Sequence, residues 1–275
     1  MRSIRWAALC LAAAAMPALA QFEGVLEMKM SMKEGGTGTG KTYVSKTGWR
    51  SEMEMQLPKM EKTTGKASMK MTMLGKLSDP DKMYTIDDER KTYAVIDVKK
   101  VSEMAGKQAE ETYTVKKLGG DTVAGYGCEK VLITSSKGNE IEGCATREIM
   151  GSSAWLSSLQ RGRGGAYGGW VRALKEAGVG EVLIRFVIRD KSTKEETMRM
   201  ELVKAEKKSL SPSLFEIPPG YKETDMMGMA MGQMSPEQQE KMKAAQEQMK
   251  KAMENMTPEQ KKMMEDMMKQ RSGNK

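Results

Sequence analysis

The residues in this chain with chemistry to offer are methionine, a cysteine pair and a few glycines and carboxylates. From Met226 to Met234 the chain reads MMGMAMGQM. Thioether sulfur is a soft ligand that suits Cu(I). The alternate spacing of Met227, Met229 and Met231 makes this run the candidate metal site. Two other uses compete with it. The tail methionines form the thin apolar stripe of helices that bind a partner protein, or they trap oxidants by conversion to the sulfoxide. Histidine is absent (His 0). That removes Ser-His-Asp and Cys-His catalysis together with the usual zinc sites. G-x-S-x-G does not occur after the first twenty residues, so that common serine hydrolase signal is missing too.

Three further motifs read as structure. Gly35–Thr42, GGTGTGKT, matches the P-loop pattern letter for letter. A P-loop needs a helix directly after it to cradle phosphate. The residues that follow, YVSKTGWRSEMEMQL, alternate instead, so a glycine-rich β-hairpin loop is expected. Asp87, Asp88 and Glu89 read as a solvated hairpin turn rather than a divalent-cation site. RGRGGAYGG, residues 161–169, reads as a flexible break within a helix rather than an RNA-binding segment.

The amino terminus, MRSIRWAALCLAAAAMPALA, has the basic start, apolar run and small-x-small ending of a secretory signal peptide, with cleavage after Ala20. Its apolar run is too short for a membrane span. Leu9, which precedes Cys10, is not the small residue a lipid-anchor signal needs. The expectation is a periplasmic or secreted protein that is not an integral membrane protein. Cys128 and Cys144 then remain as an even pair, which in an exported chain reads as one disulfide. Closing a loop of about 15 residues stabilises by roughly 3 kcal/mol in the chain-entropy model. The net charge of +8 is scattered rather than gathered into a basic block with aromatics, which argues against nucleic acid. Weak attraction to an anionic membrane surface is compatible with it.

These residues must be positioned by strands. VLEMKMSMK, SEMEMQL and SMKMTML alternate apolar with polar residues, as do the later segments to about Val203. Period two marks strands with one buried face. About ten strands with short turns predict a mainly β (α+β) fold, a curled antiparallel sheet or unclosed β-barrel spanning 21–222. Helix is expected near residues 99–111 and over about 152–177, where Trp155, Leu156, Trp170 and Leu174 supply an apolar side and Gly178 a stop. The longer helix is read as a lid on the concave face, with Gly162–Gly169 as its hinge. Residues 223–234 read as a Met/Gly-rich linker. Two helix starts, SPEQ at Ser235 and TPEQ at Thr257, each combine a hydroxyl N-cap, proline at N1 and glutamine at N3, and predict a two-helix, Met-rich tail over 235–270.

In the strands the methionines sit at the apolar positions. Unbranched, polarizable side chains suit a surface that repacks around variable apolar ligands. Met28, Met30, Met53, Met55, Met69 and Met71 are the candidate lining of a ligand site.

The block AGYGCEKVLITSSKGNEIEGCATREI, followed by a helical excursion, two strands and SLFEIPPGYKE, resembles a family of exported bacterial domains of unknown function. That family is similar to the LolA and LolB-like carriers. The resemblance covers about residues 22–222 and implies an unclosed β-barrel whose helical lid covers an apolar cavity for acyl chains. It brings no catalytic residues. MSPEQ and MTPEQ, at Met234 and Met256, resemble the L-T-x-x-Q motif of small periplasmic chaperones of envelope and metal stress.

Three functions follow as expectations, none enzymatic. One is a carrier or chaperone that shelters an apolar small molecule, lipid or hydrophobic segment in the concave sheet. Another is an envelope-stress or Cu(I)-buffering protein acting through the tail. The third is a scaffold whose tail helices bind a partner protein.

Overall fold

A computed structural model describes residues 22–58, 67–100, 111–149 and 166–232, with a few positions between 240 and 248. The expected signal peptide with its Ala20 cleavage site, residues 152–165 of the expected lid and most of the expected 235–270 tail lie outside the described residues.

The alternating segments become twelve strands of one sheet. They are β1 (Gly24–Met32), β2 (Thr37–Val44), β3 (Gly48–Gln56), β4 (Ser68–Lys76), β5 (Lys82–Asp87), β6 (Thr92–Asp97), β7 (Tyr113–Val123), β8 (Tyr126–Ser135), β9 (Glu140–Thr146), β10 (Val182–Arg189), β11 (Glu196–Lys207) and β12 (Lys222–Glu223). Helix α1 (Ala166–Glu176) lies between β9 and β10, and α2 (Met226–Gly232) follows β12. The strand order is β12-β6-β5-β4-β3-β2-β1-β11-β10-β9-β8-β7. All neighbours are antiparallel except β12 and β6. The ends, β12 and β7, do not pair with each other, so the barrel is unclosed.

The sheet curls toward one face. Tyr126 at the start of β8 donates its Oη proton to Ala205 O on β11 at 3.3 Å, although β9 and β10 lie between those strands. Ala205 faces Leu26 across the β1–β11 pair. Leu26, Val44 and Leu202 therefore share a core with Val123, Cys128, Cys144 and Ile184. The predicted disulfide Cys128–Cys144 forms there, between adjacent strands.

Helix α1 covers the β7–β10 end of the same inner face. Its Trp170, Val171 and Leu174 pack on Val131, Ile133, Leu183 and Phe186. Gly178, with φ +65°, ends it as predicted. The predicted hinge is different from what forms. Gly168 and Gly169 lie inside α1, and a Cβ on Gly169 would stand 2.5 Å from Tyr113 Cε2 on β7. Gly169 is small because the helix crosses a tyrosine ring at close range, so its role is packing. The Gly162–Gly165 part of the hinge lies outside the described residues.

The outer face has its own seal. Phe215, Ile217 and Tyr221 of SLFEIPPGYKE pack with Tyr43, Leu74, Tyr84, Ile86 and Tyr93. Full burial of one such side chain stabilises by about 1.5–3 kcal/mol. The family-like segment is thus a clasp across β3–β6.

Two further expectations are corrected. The loop expected over Gly35–Thr42 shrinks to a 3-10 turn at Lys33–Gly35, and Thr37–Val44 is strand β2, fully paired on both sides. The segment read as a Met/Gly-rich linker, 223–234, starts at the end of β12 and carries α2. Asp225 Oδ1 accepts the Gly228 N–H at 2.6 Å and so caps the first turn of α2.

Candidate functional site

The candidate site is the inner face of β11-β1-β2-β3-β4. Strand register decides which side chains share a face, because directly opposed residues point the same way. One row across the sheet reads Met200–Met30–Gly38–Met55–Met69. The next reads Leu202–Met28–Gly40–Met53–Met71. Met198 faces Met32 beyond the first row, and Met73 faces Ser51 beyond the second. All six methionines named from the sequence thus stand on one face. Each is half-buried, as are Met73, Met198 and Met200. Their lysine, glutamate and serine neighbours along the strands point to the other face.

The centre of each row is a glycine, and that shapes the surface. A Cβ on Gly38 would meet Met55 Cγ at 3.3 Å and Met30 Cβ at 3.7 Å. A Cβ on Gly40 would meet Met53 Cγ at 3.5 Å. The β3 methionines therefore lean toward β2, which supplies only backbone at these two positions. The result is a groove with a glycine floor and thioether walls. Sequence reasoning named the walls and missed the floor, reading these glycines as a loop. It also missed Met198, Met200 and Leu202. TMRMEL does alternate visibly, but its pairing with β1 joins segments far apart in the chain.

An apolar cavity of about 150 Å³ lies between this groove and α1, with Leu26, Met30, Trp49, Met55, Trp170 and Phe186 among its walls. Pockets for drug-sized ligands run from about 300 Å³ upward. A cavity of this volume has room for a narrow guest only.

The opposite face holds a larger, more open cleft of about 910 Å³. Its wall is charged, with Glu27, Lys29, Lys41, Glu52, Glu54 and Lys70 among its residues. Much of that charge is internally matched. Lys41 pairs with Glu27 at 3.4 Å and Lys29 with Glu201 at 3.7 Å. Arg50 Nε stands 2.7 Å from Glu52 and its Nη2 3.9 Å from Asp88. Burial together with the Glu52 carboxylate raises the Tyr43 pKa at the edge of this network. Met28, Met53, Met69 and Met71 also line this cleft, but its wall mixes them with charge, so the more uniformly apolar inner groove is the better candidate despite its smaller volume.

Two of the three methionines read as metal ligands from the sequence, Met227 and Met229, stand in different surroundings. Met227 is 52% exposed and Met229 is 3% exposed. Residues two apart on a helix do not face each other. The Met231 side chain lies outside the described residues. Met229 is instead held against the hairpin turn after β5. Arg90 donates to Gly228 O at 3.2 Å and to Met229 O at 2.9 Å, and Asp87 Oδ2 accepts from Arg90 Nε and Nη2 at 2.9 and 2.7 Å. Burial pushes the Asp87 carboxyl up, but the hydrogen bonds and charge of Arg90 outweigh it and hold the pKa below its ordinary value. The acidic turn is thus an anchor for α2. Among the described residues no group of three or more His, Cys, Asp or Glu is placed to hold a metal ion. None of the described helices is long and apolar enough to cross a membrane.

A family model described as a domain of unknown function, DUF4412, matches residues 22–221. No curated protein matches. Several solved structures are similar. An uncharacterized conserved protein from Thermus thermophilus aligns with a TM-score of 0.43 and 8% identity, over 74% of this chain and 91% of that one. MucB aligns with a TM-score of 0.37 and 7% identity, over 72% of this chain and 58% of MucB. In the Pseudomonas aeruginosa MucA/MucB complex the match has a TM-score of 0.39 and 8% identity, over 73% and 57%.

Proposed function

We propose that this chain, which belongs to the DUF4412 family of domains of unknown function, is an extracytoplasmic binding protein that shelters a thin apolar chain in its inner groove. The observation that carries this reading is the pair of methionine rows over the glycine floor of β2. Half-buried thioethers form an apolar surface that is adaptable and still reachable. A core built only for stability would bury them fully, as Met83 is buried at 5% exposure. The Cys128–Cys144 bond fits an oxidising compartment outside the cytoplasm. An acyl chain or an extended hydrophobic segment matches the narrow cavity beside α1. The two rows across the sheet contribute only methionine, leucine and glycine, which favours binding over catalysis.

Titration with a fluorescent fatty acid tests the reading. The probe should brighten on binding, and Met55→Asp should weaken it by about tenfold or more, because a carboxylate in the groove must be desolvated when the chain enters. Lys70→Ala on the outer face should leave binding unchanged. Equal binding by Met55→Asp and the parent chain would remove the groove from the account.

A further inference from the structure

We propose that the Thr42–Ser51 hydroxyl pair is the head-group subsite of the inner groove. It takes an uncharged oxygen, an ester carbonyl or an alcohol hydroxyl, at the end of an apolar chain. The inference rests on the carrier reading above and names the class of its ligand.

The inner-face rows differ in kind. Those through Gly38 and Gly40 hold only methionine, leucine and glycine. The next row across β1–β4 reads Leu26–Thr42–Ser51–Met73. Beyond it stand Val44, Trp49 and Gly75. Two adjacent hydroxyls thus interrupt an otherwise apolar stripe. Both residues are half-buried, and both line the cavity of about 150 Å³ beside α1, together with Leu26, Trp49 and Met73. Their hydrogen bonding is incomplete. Thr42 Oγ1 and Ser51 Oγ stand 3.2 Å apart, so one hydroxyl donates to the other. Each hydroxyl carries one donor and two acceptor sites. One O–H proton is left over, and among the described residues neither side chain makes a second hydrogen bond. Enclosing that proton without a partner costs free energy. Valine, present two residues along the same strand and face at Val44, would avoid the cost. A few polar groups set into an apolar pocket are what orient a ligand there.

The pair also selects the head group. An ionised carboxylate or phosphate would lose its hydration in return for a single O–H donor. The charged residues lining the cavity are Glu181 and Lys29, and the Lys29 ammonium is paired with Glu201 at 3.7 Å, so neither offers an anion an unpaired cation. An ionised head is better left in water, and a lipid that carries one enters chain first. An ester carbonyl needs only the one donor. An alcohol can also give its own proton to an oxygen of the pair. Ser51 lies four residues from Met55 along β3, a span of about 13 Å. An apolar chain that begins at the hydroxyls therefore runs past the Gly40 and Gly38 rows.

The test is displacement of the fluorescent fatty acid by decanol, methyl decanoate and decane. Three proteins are compared: the parent chain, Thr42→Val with Ser51→Ala, and Thr42→Ser with Ser51→Thr, which exchanges the hydroxyls and keeps both. The preference of the parent for decanol and for the ester over decane should fall by about fivefold in Thr42→Val/Ser51→Ala, the scale of one hydrogen bond. Decane itself should bind that variant as well as the parent, and the exchanged variant should keep the parent's preference. A second readout needs no substitution. The C=O stretch of methyl decanoate bound to the parent should lie below its value in an alkane solvent. The same preference in all three proteins, or an alkane-like stretch on the parent, would overturn the inference and leave the carrier reading standing. A parent chain that takes neither the fatty acid nor any of the three ligands would defeat the carrier reading and this inference with it.

Discussion

Gly38 and Gly40 decide what kind of surface the methionines make. With any other residue there, β2 would raise a ridge between the walls, and the face would be an ordinary packed layer. Gly38→Ala places a Cβ 3.1 Å from Glu54 O and 3.3 Å from Met55 Cγ. Met55 must then rotate away, and the groove becomes shallower. Fatty-acid affinity should fall severalfold while the melting temperature holds or rises, because alanine in a strand loses less conformational freedom on folding than glycine. Unchanged affinity would show that the floor does not matter. At this scale the sequence was legible in part. The wall residues announced themselves by alternation in VLEMKMSMK and SEMEMQL. The floor did not, because GGTGTGKT carries the local signature of a loop. Its extended state comes from pairing with β1 and β3 along its whole length, a tertiary effect that outweighs local glycine preference.

At the scale of elements, α1 and α2 are attached by different physics. Helix α1 is held by apolar packing on β7–β10, and the crossing depends on Gly169 lying against Tyr113. Helix α2 is held by a charged latch, Asp87–Arg90, whose guanidinium grips the Gly228 and Met229 carbonyls. The latch should respond to acid. The Asp87 pKa is depressed in the folded protein. Its contribution is therefore complete above the unfolded value, about 3.9 for aspartate, and is lost as pH falls through the lower folded value. Hydrogen exchange at the Met229 amide, which bonds to Asp225 O at 3.0 Å, should lose protection in that window, after correction for the intrinsic rate. Asp87→Asn should lower protection already at neutral pH and flatten the acid dependence. A Met229 amide equally protected in both proteins would show that the latch is not what holds α2. Neither attachment was readable beforehand. The linker reading followed composition, and the hinge reading followed glycine content. Arg90 meets Met229, and Gly169 meets Tyr113, only once the sheet has brought distant segments together.

The molecule as a whole is an unclosed, curled sheet with two differently treated faces. The outer face is sealed by the Phe215–Tyr221 clasp over β3–β6 and otherwise carries matched charges. The inner face is covered by α1 at one end and left methionine-lined at the other. This architecture was the most legible feature of the sequence, because period-two alternation recurs in segment after segment and is a strong, redundant signal. The family match over 22–221 spans β1–β11, the clasp and α1. The central claim is that the uncovered end of the inner face holds an apolar chain. Native mass spectrometry tests it most directly, on the protein purified from cells without detergent and on the Met55→Asp variant prepared alongside. The account predicts an adduct of acyl-chain mass on the parent protein, sharply reduced on the variant. A bare mass on both proteins, together with no uptake of added fatty acid, would contradict it.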